Sequence, residues 1–285
     1  MHSKRISWAF LVLSAGVASA AWGADYRLEK RLPLAAGGTL AVRSEAGGVK
    51  VHGGDGGEAV ITVTSDRQDF AEVFTVRFET PRPDRVEVVL ERKSRGPASW
   101  FGFHNDHTQV VVTLPRSAGA EVTSSGGGID IAGLAGKVQA ESSGGGVQVS
   151  GLGGAAILSS SGGAIAADNV DGDLDASSSG GGVEIREAHG AVVAESSGGA
   201  VSVTFAAGNA HGGSLSSSGG GVAARLDPAV GLEIDASSSG GSVDCDLPLT
   251  VRGRVGRDDV HGTLNGGGAL LKLRSSGGGI DIRMR

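Results

Sequence analysis

Serine is the residue whose spacing first raises the question of chemistry in this chain. A Ser-Ser-Gly-Gly block begins at Ser124, Ser142, Ser160, Ser178, Ser196, Ser217, Ser238 and Ser275, at intervals of 18, 18, 18, 18, 21, 21 and 37 residues. A hydroxyl becomes a nucleophile when a base sits beside it and a third group orients that base. No basic partner recurs beside these serines, so the repeated hydroxyls read as structural. The lone thiol, Cys245, lies in the alternating run Val243-Asp244-Cys245-Asp246-Leu247 and faces the same way as Val243 and Leu247. It therefore reads as a small core residue, and a single cysteine makes neither an internal disulfide nor a cysteine-based zinc site. His104, Asp106 and His107 are metal-ligating types, but they sit on one loop without a second cluster. The same loop, 94–107, gathers Trp100, Phe101 and Phe103. Two readings compete for it: a plug folded over an open end of the fold, or an exposed patch of Trp100, Phe101, Phe103, His104 and His107 that meets a partner, a glycan or a membrane surface.

The elements that must carry these residues follow from the apolar spacing inside one repeat. In residues 124–141, Ile129 and Ile131 flank Asp130, Leu134 follows between glycines, and Val138, Ala140 and Ser142 alternate with Gln139 and Glu141. That pattern is two short strands joined by glycine-rich corners. The next units repeat it: Val147/Val149, Leu152, Ala156/Leu158, then Ile165/Ala167, Val170, Leu174/Ala176, then Val183/Ile185, Ala188, Val192/Ala194. The period is too short for a strand–helix–strand crossover, which needs about 30 residues. A unit this small buries its apolar face only by stacking on copies of itself at about 4.8 Å. The expected fold is all-β: a β-solenoid, parallel β-helix-like, with coils of 18 residues. The first serine of each block continues the inward alternation, which predicts an internal serine ladder whose hydroxyls satisfy backbone groups at the corners. The glycines are expected to supply positive φ there. The last interval, 37 residues, reads as two units with one Ser-Ser block lost around 251–262. Three-residue insertions in 204–214 and 226–232 read as surface loops. Glycine-rich β-rolls can bind calcium through an Asp fixed in each unit. Here the outward site reads Asp130, Gln148, Ala166, Glu184, Ser202, Ala223, Asp244 and Asp281, which is no ladder of ligands, so no metal and no cofactor is expected.

Residues 25–116 are strand-rich but less regular, with candidate strands at 26–32, 39–44, 48–52, 58–64, 73–79, 85–92 and 108–114. The stretch 38–51 already resembles one solenoid unit, so this region reads either as early coils or as a small cap over the first coil's open edge. At the other end Arg283 and Arg285 flank Met284 in the last strand, where edge charges would discourage end-to-end pairing.

The first residues read as an export signal. Lys4 and Arg5 precede an apolar run from Ile6 to Val17, too short to span a membrane, and Ala18-Ser19-Ala20 offers a cleavage site after Ala20. The expected organisation is 1–20 signal peptide, 21–116 N-terminal β-rich region and 117–285 solenoid. No later stretch is long and apolar enough to serve as a membrane anchor. Glycine, 51 of 285 residues, far exceeds the usual fraction of about 7%, yet the regular apolar spacing argues against disorder. Residues 117–250 hold 15 acidic and only 3 basic side chains. So acidic a body repels phosphates, which excludes nucleic acid as a partner.

The exported start, the Gly-Thr-Leu-Ala-Val opening at 38–42 and the repeated Ser-Ser-Gly-Gly-Gly-Ile/Val-x-Ile/Val units resemble the bacterial "putative adhesin" β-strand-repeat family, domain of unknown function 4097. The resemblance covers nearly the whole chain after the signal and implies a β-solenoid in the cell envelope, periplasmic or at the surface. It carries no catalytic residues to transfer. The leading functional expectation is a non-catalytic scaffold or adhesin-like binding module for an unknown envelope protein or glycan. A carbohydrate-active β-helix enzyme is the alternative, but residues 117–250 contain one aromatic, Phe205, and too few basic groups for a substrate groove. A self-assembling envelope polymer is the third.

Overall fold

The computed structural model describes residues 26–93, 107–251 and 256–285. Strands are numbered in chain order. One twelve-stranded sheet, A, runs in space as β1 (Tyr26–Pro33), β4 (Glu58–Ser65), β7 (Gln109–Pro115), β3 (Gly48–Gly54), β9 (Ile129–Ala132), β11 (Val147–Leu152), β13 (Ile165–Val170), β15 (Val183–Ala188), β17 (Val201–Phe205), β19 (Val222–Leu226), β25 (Ile280–Met284) and β21 (Val243–Cys245). The facing thirteen-stranded sheet, B, runs from the other end as β22 (Thr250–Val251), β23 (Asp259–Leu264), β20 (Leu232–Ser238), β24 (Ala269–Ser275), β18 (Gly213–Ser217), β16 (Val192–Ser196), β14 (Leu174–Ser178), β12 (Ala156–Ser160), β10 (Val138–Ser142), β8 (Gly119–Ser124), β2 (Thr39–Ser44), β6 (Arg85–Arg92) and β5 (Phe74–Arg82). Each coil is one strand of B, a corner, and one strand of A. Pairing β6 with β7, β2 with β3, β8 with β9 and so on to β20 with β21 gives ten coils in parallel register. The expected β-solenoid is the observed fold.

The alternation read from sequence sets the packing. Along β10, Val138, Ala140 and Ser142 are buried while Gln139 and Glu141 are exposed. Equivalent residues stack from rung to rung, as in Ile129↔Val147↔Ile165↔Val183. The core is a thin column of Val, Ile, Leu and Ala between two sheets, and stacking is what removes it from water, since no single coil covers its own apolar side.

The corner glycines require a correction. Gly127, Gly145, Gly163, Gly181 and Gly199 are absent from the residues with positive φ. Glycine stands there because the coil below comes too close. A Cβ on Gly163 would lie 2.3 Å from the backbone nitrogen of Gly146, and one on Gly145 2.4 Å from that of Gly128. At the first corner positive φ is found at Gly47, the equivalent position of the β2/β3 coil, and it recurs at the second corner, where Gly133, Gly151, Asn169 and Glu187 adopt it at successive 18-residue steps. Asn is tolerated in that region, whereas Glu187 is strained there.

The order of coils at the ends is the second correction. Residues 251–262 are not a coil that has lost its serines. β22 and β23 form an antiparallel hairpin, and β23 lies antiparallel on β20 as a cap. The chain then turns back through Asn265-Gly266-Gly267-Gly268, and the 269–285 coil (β24 with β25) enters between the coil β18/β19 and the coil β20/β21. β25 is therefore an interior strand, and Arg283 and Arg285 do not guard an edge. Arg283 is ion-paired with Asp246 and Asp281, and Arg285 Nη2 lies 2.8 Å from Glu187 Oε1. The N-terminal end mirrors this order: β2/β3 sits between β6/β7 and β8/β9, although it precedes both in sequence.

At the C-terminal end one half-buried carboxylate ties three elements. Asp235 of β20 meets Arg274 of β24 at 2.5 Å, and its buried Oδ1 lies 3.2 Å from His261 Nδ1 of the cap. The Arg274 hydrogen bond is the main cause holding the Asp235 carboxyl below its ordinary range. Its folded value lies below the unfolded one of about 3.9. The stability it confers is therefore complete at neutral pH and lost as pH falls through the folded value. Thermal melts between pH 5 and pH 3 are expected to fall more steeply for the parent than for Asp235→Asn. Parallel acid profiles would show that the carboxylate does not link these elements.

Candidate interaction surface

The repeated serines are held by the backbone on both sides. Ser160 Oγ donates to Gly145 O at 3.0 Å and accepts from Gly163 N at 3.0 Å. Ser142, Ser178, Ser196 and Ser217 do the same with the corner glycines of their own coil and of the coil before. Because Gly145 N–H points to Ser142 and Gly145 C=O receives Ser160, hydroxyl and peptide alternate as one hydrogen-bonded thread along the rod. The thread follows spatial order, from Ser217 through Gly220 to Ser275, then through Gly278 to Ser238. This is the internal serine ladder expected from sequence. Both partners of Ser160 Oγ are backbone groups, and neither is a base placed to take the hydroxyl proton. Cys245 is half-buried against the core, and burial pushes its thiol up, away from the thiolate form.

Outside the ladder, the residue after each buried serine (Ser125, Ser143, Ser161, Ser179, Ser197) is exposed, so the corner edge is a flat strip of hydroxyls and glycine backbone. Where that strip turns onto sheet A, a shallow open groove of about 530 Å³ crosses the rungs near the N-terminal end. Its floor is backbone and small residues, Gly48, Gly128, Gly146 and Ala164, and its polar rim is Lys50, Gln109, Asp130 and Gln148. The groove exists because the third corner position never carries more than a methyl group in these four coils. Lys50, Asp130, Gln148 and Ala166 form one register column. Its members from Asp130 onward are the outward site considered above for calcium; Lys50 extends the column into a coil that lacks the Ser-Ser block, and Gln109, the register partner of Gly48, joins the rim from the next coil. Among the described residues no cluster of three or more His, Cys, Asp or Glu is placed to hold a metal. The rim mixes one cation, one anion and two amides, a set suited to neutral polar ligands with many hydroxyl or amide groups.

The loop singled out in the sequence is rooted beside this groove. In the β6/β7 coil, Leu90 occupies the register position of the ladder serine and Gln109 that of Gly48. The connection between them thus replaces the four-residue Ser-Gly corner. Trp100, Phe101, Phe103 and His104 lie outside the described residues. His107 is exposed, and its backbone N–H donates to Asp66 Oδ1 at 2.9 Å. Next to it, buried Thr108 bonds Ser65 through their hydroxyls at 3.0 Å. An aromatic group unforeseen from sequence closes the core nearby: Phe70, on the short helix α1 (Phe70–Val73), stacks on Phe74 at a centroid distance of 5.2 Å and meets Tyr26 in a tilted contact at 4.3 Å. Its signal was the four-residue spacing of Phe70 and Phe74, across the start of the candidate strand 73–79. Leu28, Leu32, Val76 and Phe78 at this end remain only partly covered.

The sequence matches no family model and no curated protein. Among solved structures, it is similar to a "putative cell adhesion protein" from Clostridium sporogenes (14% identity, 91% of this chain and 100% of that one, TM-score 0.33). It is also similar to a "putative adhesin" from Bacteroides fragilis (13%, 91% and 97%, TM-score 0.48) and to a "putative lipid binding protein" from Parabacteroides distasonis (14%, 91% and 96%, TM-score 0.45). Identities and TM-scores this low carry no inference about the ligand or activity of this chain.

Proposed function

We propose that this chain is an exported, non-catalytic module of the bacterial cell envelope, a rigid rod that presents outward residue columns to an envelope protein or glycan. One observation supports this most: the serines that dominate the repeat are fully engaged in holding the coils together, so the variable exterior is left as the part that can differ in function. The groove rimmed by Lys50, Gln109, Asp130 and Gln148 is a depression on that exterior. Among the described residues no helix is long and apolar enough to cross a membrane, in keeping with a chain released after cleavage following Ala20. Membership of the domain family named above belongs to this proposal and rests on the motifs quoted there.

The test is a binding screen of the purified full chain against envelope glycans and envelope protein fractions, run beside a Lys50→Ala/Gln148→Ala variant and a variant lacking 94–106. Saturable binding that weakens in either variant, with no cleavage of any glycan, is the expected result. Reproducible glycan cleavage, or binding indifferent to both variants, would overturn the reading.

A further inference from the structure

We propose that the space between the coil β18/β19 and the coil β20/β21 is a segment-acceptor site. The chain fills it with its own residues 269–285, and the same segment of a second copy can fill it instead, giving a coil-exchanged dimer. The site is defined on both faces. β24 takes parallel partners from β18 and β20, and β25 takes them from β19 and β21. Leu271, Leu273, Ile280 and Ile282 enter the core fully buried. Ser275 reaches Gly220 O at 2.9 Å on one side, and Ser238 reaches Gly278 O at 2.7 Å on the other. Recognition of this kind, strand addition through main-chain bonds with side-chain pockets on alternate residues, is a general mode of peptide capture.

Two further features suit a removable segment. The first is charge. Residues 269–285 carry Lys272, Arg274, Arg283 and Arg285 against Asp281. The acceptor answers with Asp235 and Asp246, and Glu187 of the more distant strand β15 also meets Arg285, so each of the three is ion-paired with the inserted coil. A basic segment entering an acidic body is steered toward it. The second is the tether. Asn265, Gly266 and Gly267 all have positive φ, and a Cβ at Gly266 would meet nothing. A glycine-rich connection of this kind can extend without steric penalty, as exchange of an element between copies requires. The tether also sets the balance. It holds the segment at an effective concentration on the order of millimolar, so self-filling prevails in dilute protein and exchange requires folding at high concentration.

The test uses full chains in a Cys245→Ser background. Ser214 and Lys272 are register partners across β18 and β24, and neither takes part in the ion pairs. One copy carries Ser214→Cys and the other Lys272→Cys. Mixed and refolded from denaturant at high concentration under oxidising conditions, they are expected to form a disulfide-linked heterodimer. Its yield should exceed by roughly tenfold that of a collision control pairing Thr123→Cys with Lys272→Cys, and fall on dilution. A single chain with both Ser214→Cys and Lys272→Cys is expected to close its disulfide internally. Light scattering of the unmodified chain refolded at the same concentrations is the second measurement and should show a dimer alongside monomer. A yield no higher than the collision control, or monomer alone at every concentration, overturns the proposal.

Discussion

Gly163→Ala is expected to lower the melting temperature by roughly 6–12 °C, taking an overpacking cost of about 3 kcal/mol, the upper part of the usual range, and about 2–4 °C per kcal/mol for a chain of this size. The added methyl would sit 2.3 Å from the Gly146 nitrogen and 2.6 Å from the Gly145 carbonyl carbon, both backbone atoms of the coil below. Neither can move aside without breaking the rung pairing in both sheets. The matched substitution Gly128→Ala, one place further along its own corner, meets the Gly146 carbonyl oxygen at 3.3 Å and its nitrogen at 4.0 Å. It should shift the melt little, as Ala164 and Ala200 at equivalent positions indicate. Circular dichroism melts of the two variants check this. If both melt with the parent, close approach of the coils is not what excludes side chains from the second glycine.

Ser160→Ala is the next largest expected effect. It strips a hydrogen-bond partner from two part-buried backbone groups at once, the Gly145 carbonyl and the Gly163 N–H. A loss of about 2–4 kcal/mol follows if each group costs about 1–2 kcal/mol when left unpaired. Chemical denaturation of Ser160→Ala against Ser161→Ala, its exposed neighbour, separates the ladder from the surface strip; equal midpoints would remove the ladder from the stability account. Leu90 shows that the requirement is local. It holds the ladder position in the β6/β7 coil, whose sequence after Leu90 lacks the Ser-Ser-Gly-Gly block. The Ser160→Ala/Gly163→Ala double variant should cost less than the sum of the two, because Gly163 N–H and Ser160 Oγ are partners in one hydrogen bond that either substitution disrupts; denaturation midpoints of both singles and the double check this.

The strand content of the repeat was legible because two constraints agreed: period-two burial along each strand and an 18-residue return to the same corner. The inward placement of Ser124, Ser142 and their equivalents followed from the same alternation, and so did the outward column from Asp130 to Ala166. What the residues did not reveal was which rung lies on which. Every coil presents similar faces upward and downward, so the repeat fits any order, and only the hairpin at 250–264 and its glycine return make the 269–285 coil enter one place early. The role of the second corner glycine was equally hidden, since absence of a side chain reads the same whether φ or proximity demands it. The groove escaped notice because its rim spans Lys50 and Gln109, in coils without the Ser-Ser mark, as well as Asp130 and Gln148. The loop of Trp100 was visible as an anomaly, and its roots at Lys93 and His107 place that anomaly at the terminal coil.

The two ends of the rod differ in how they would bear a mechanical load. Tension applied through Tyr26 acts on β1, which among the described residues is the outermost strand of sheet A and pairs with β4 alone, and would unzip it bond by bond. Tension applied through Arg285 acts on a rung gripped from above and below. It must shear both neighbours simultaneously before anything yields, which makes this the end by which such a rod would best be pulled.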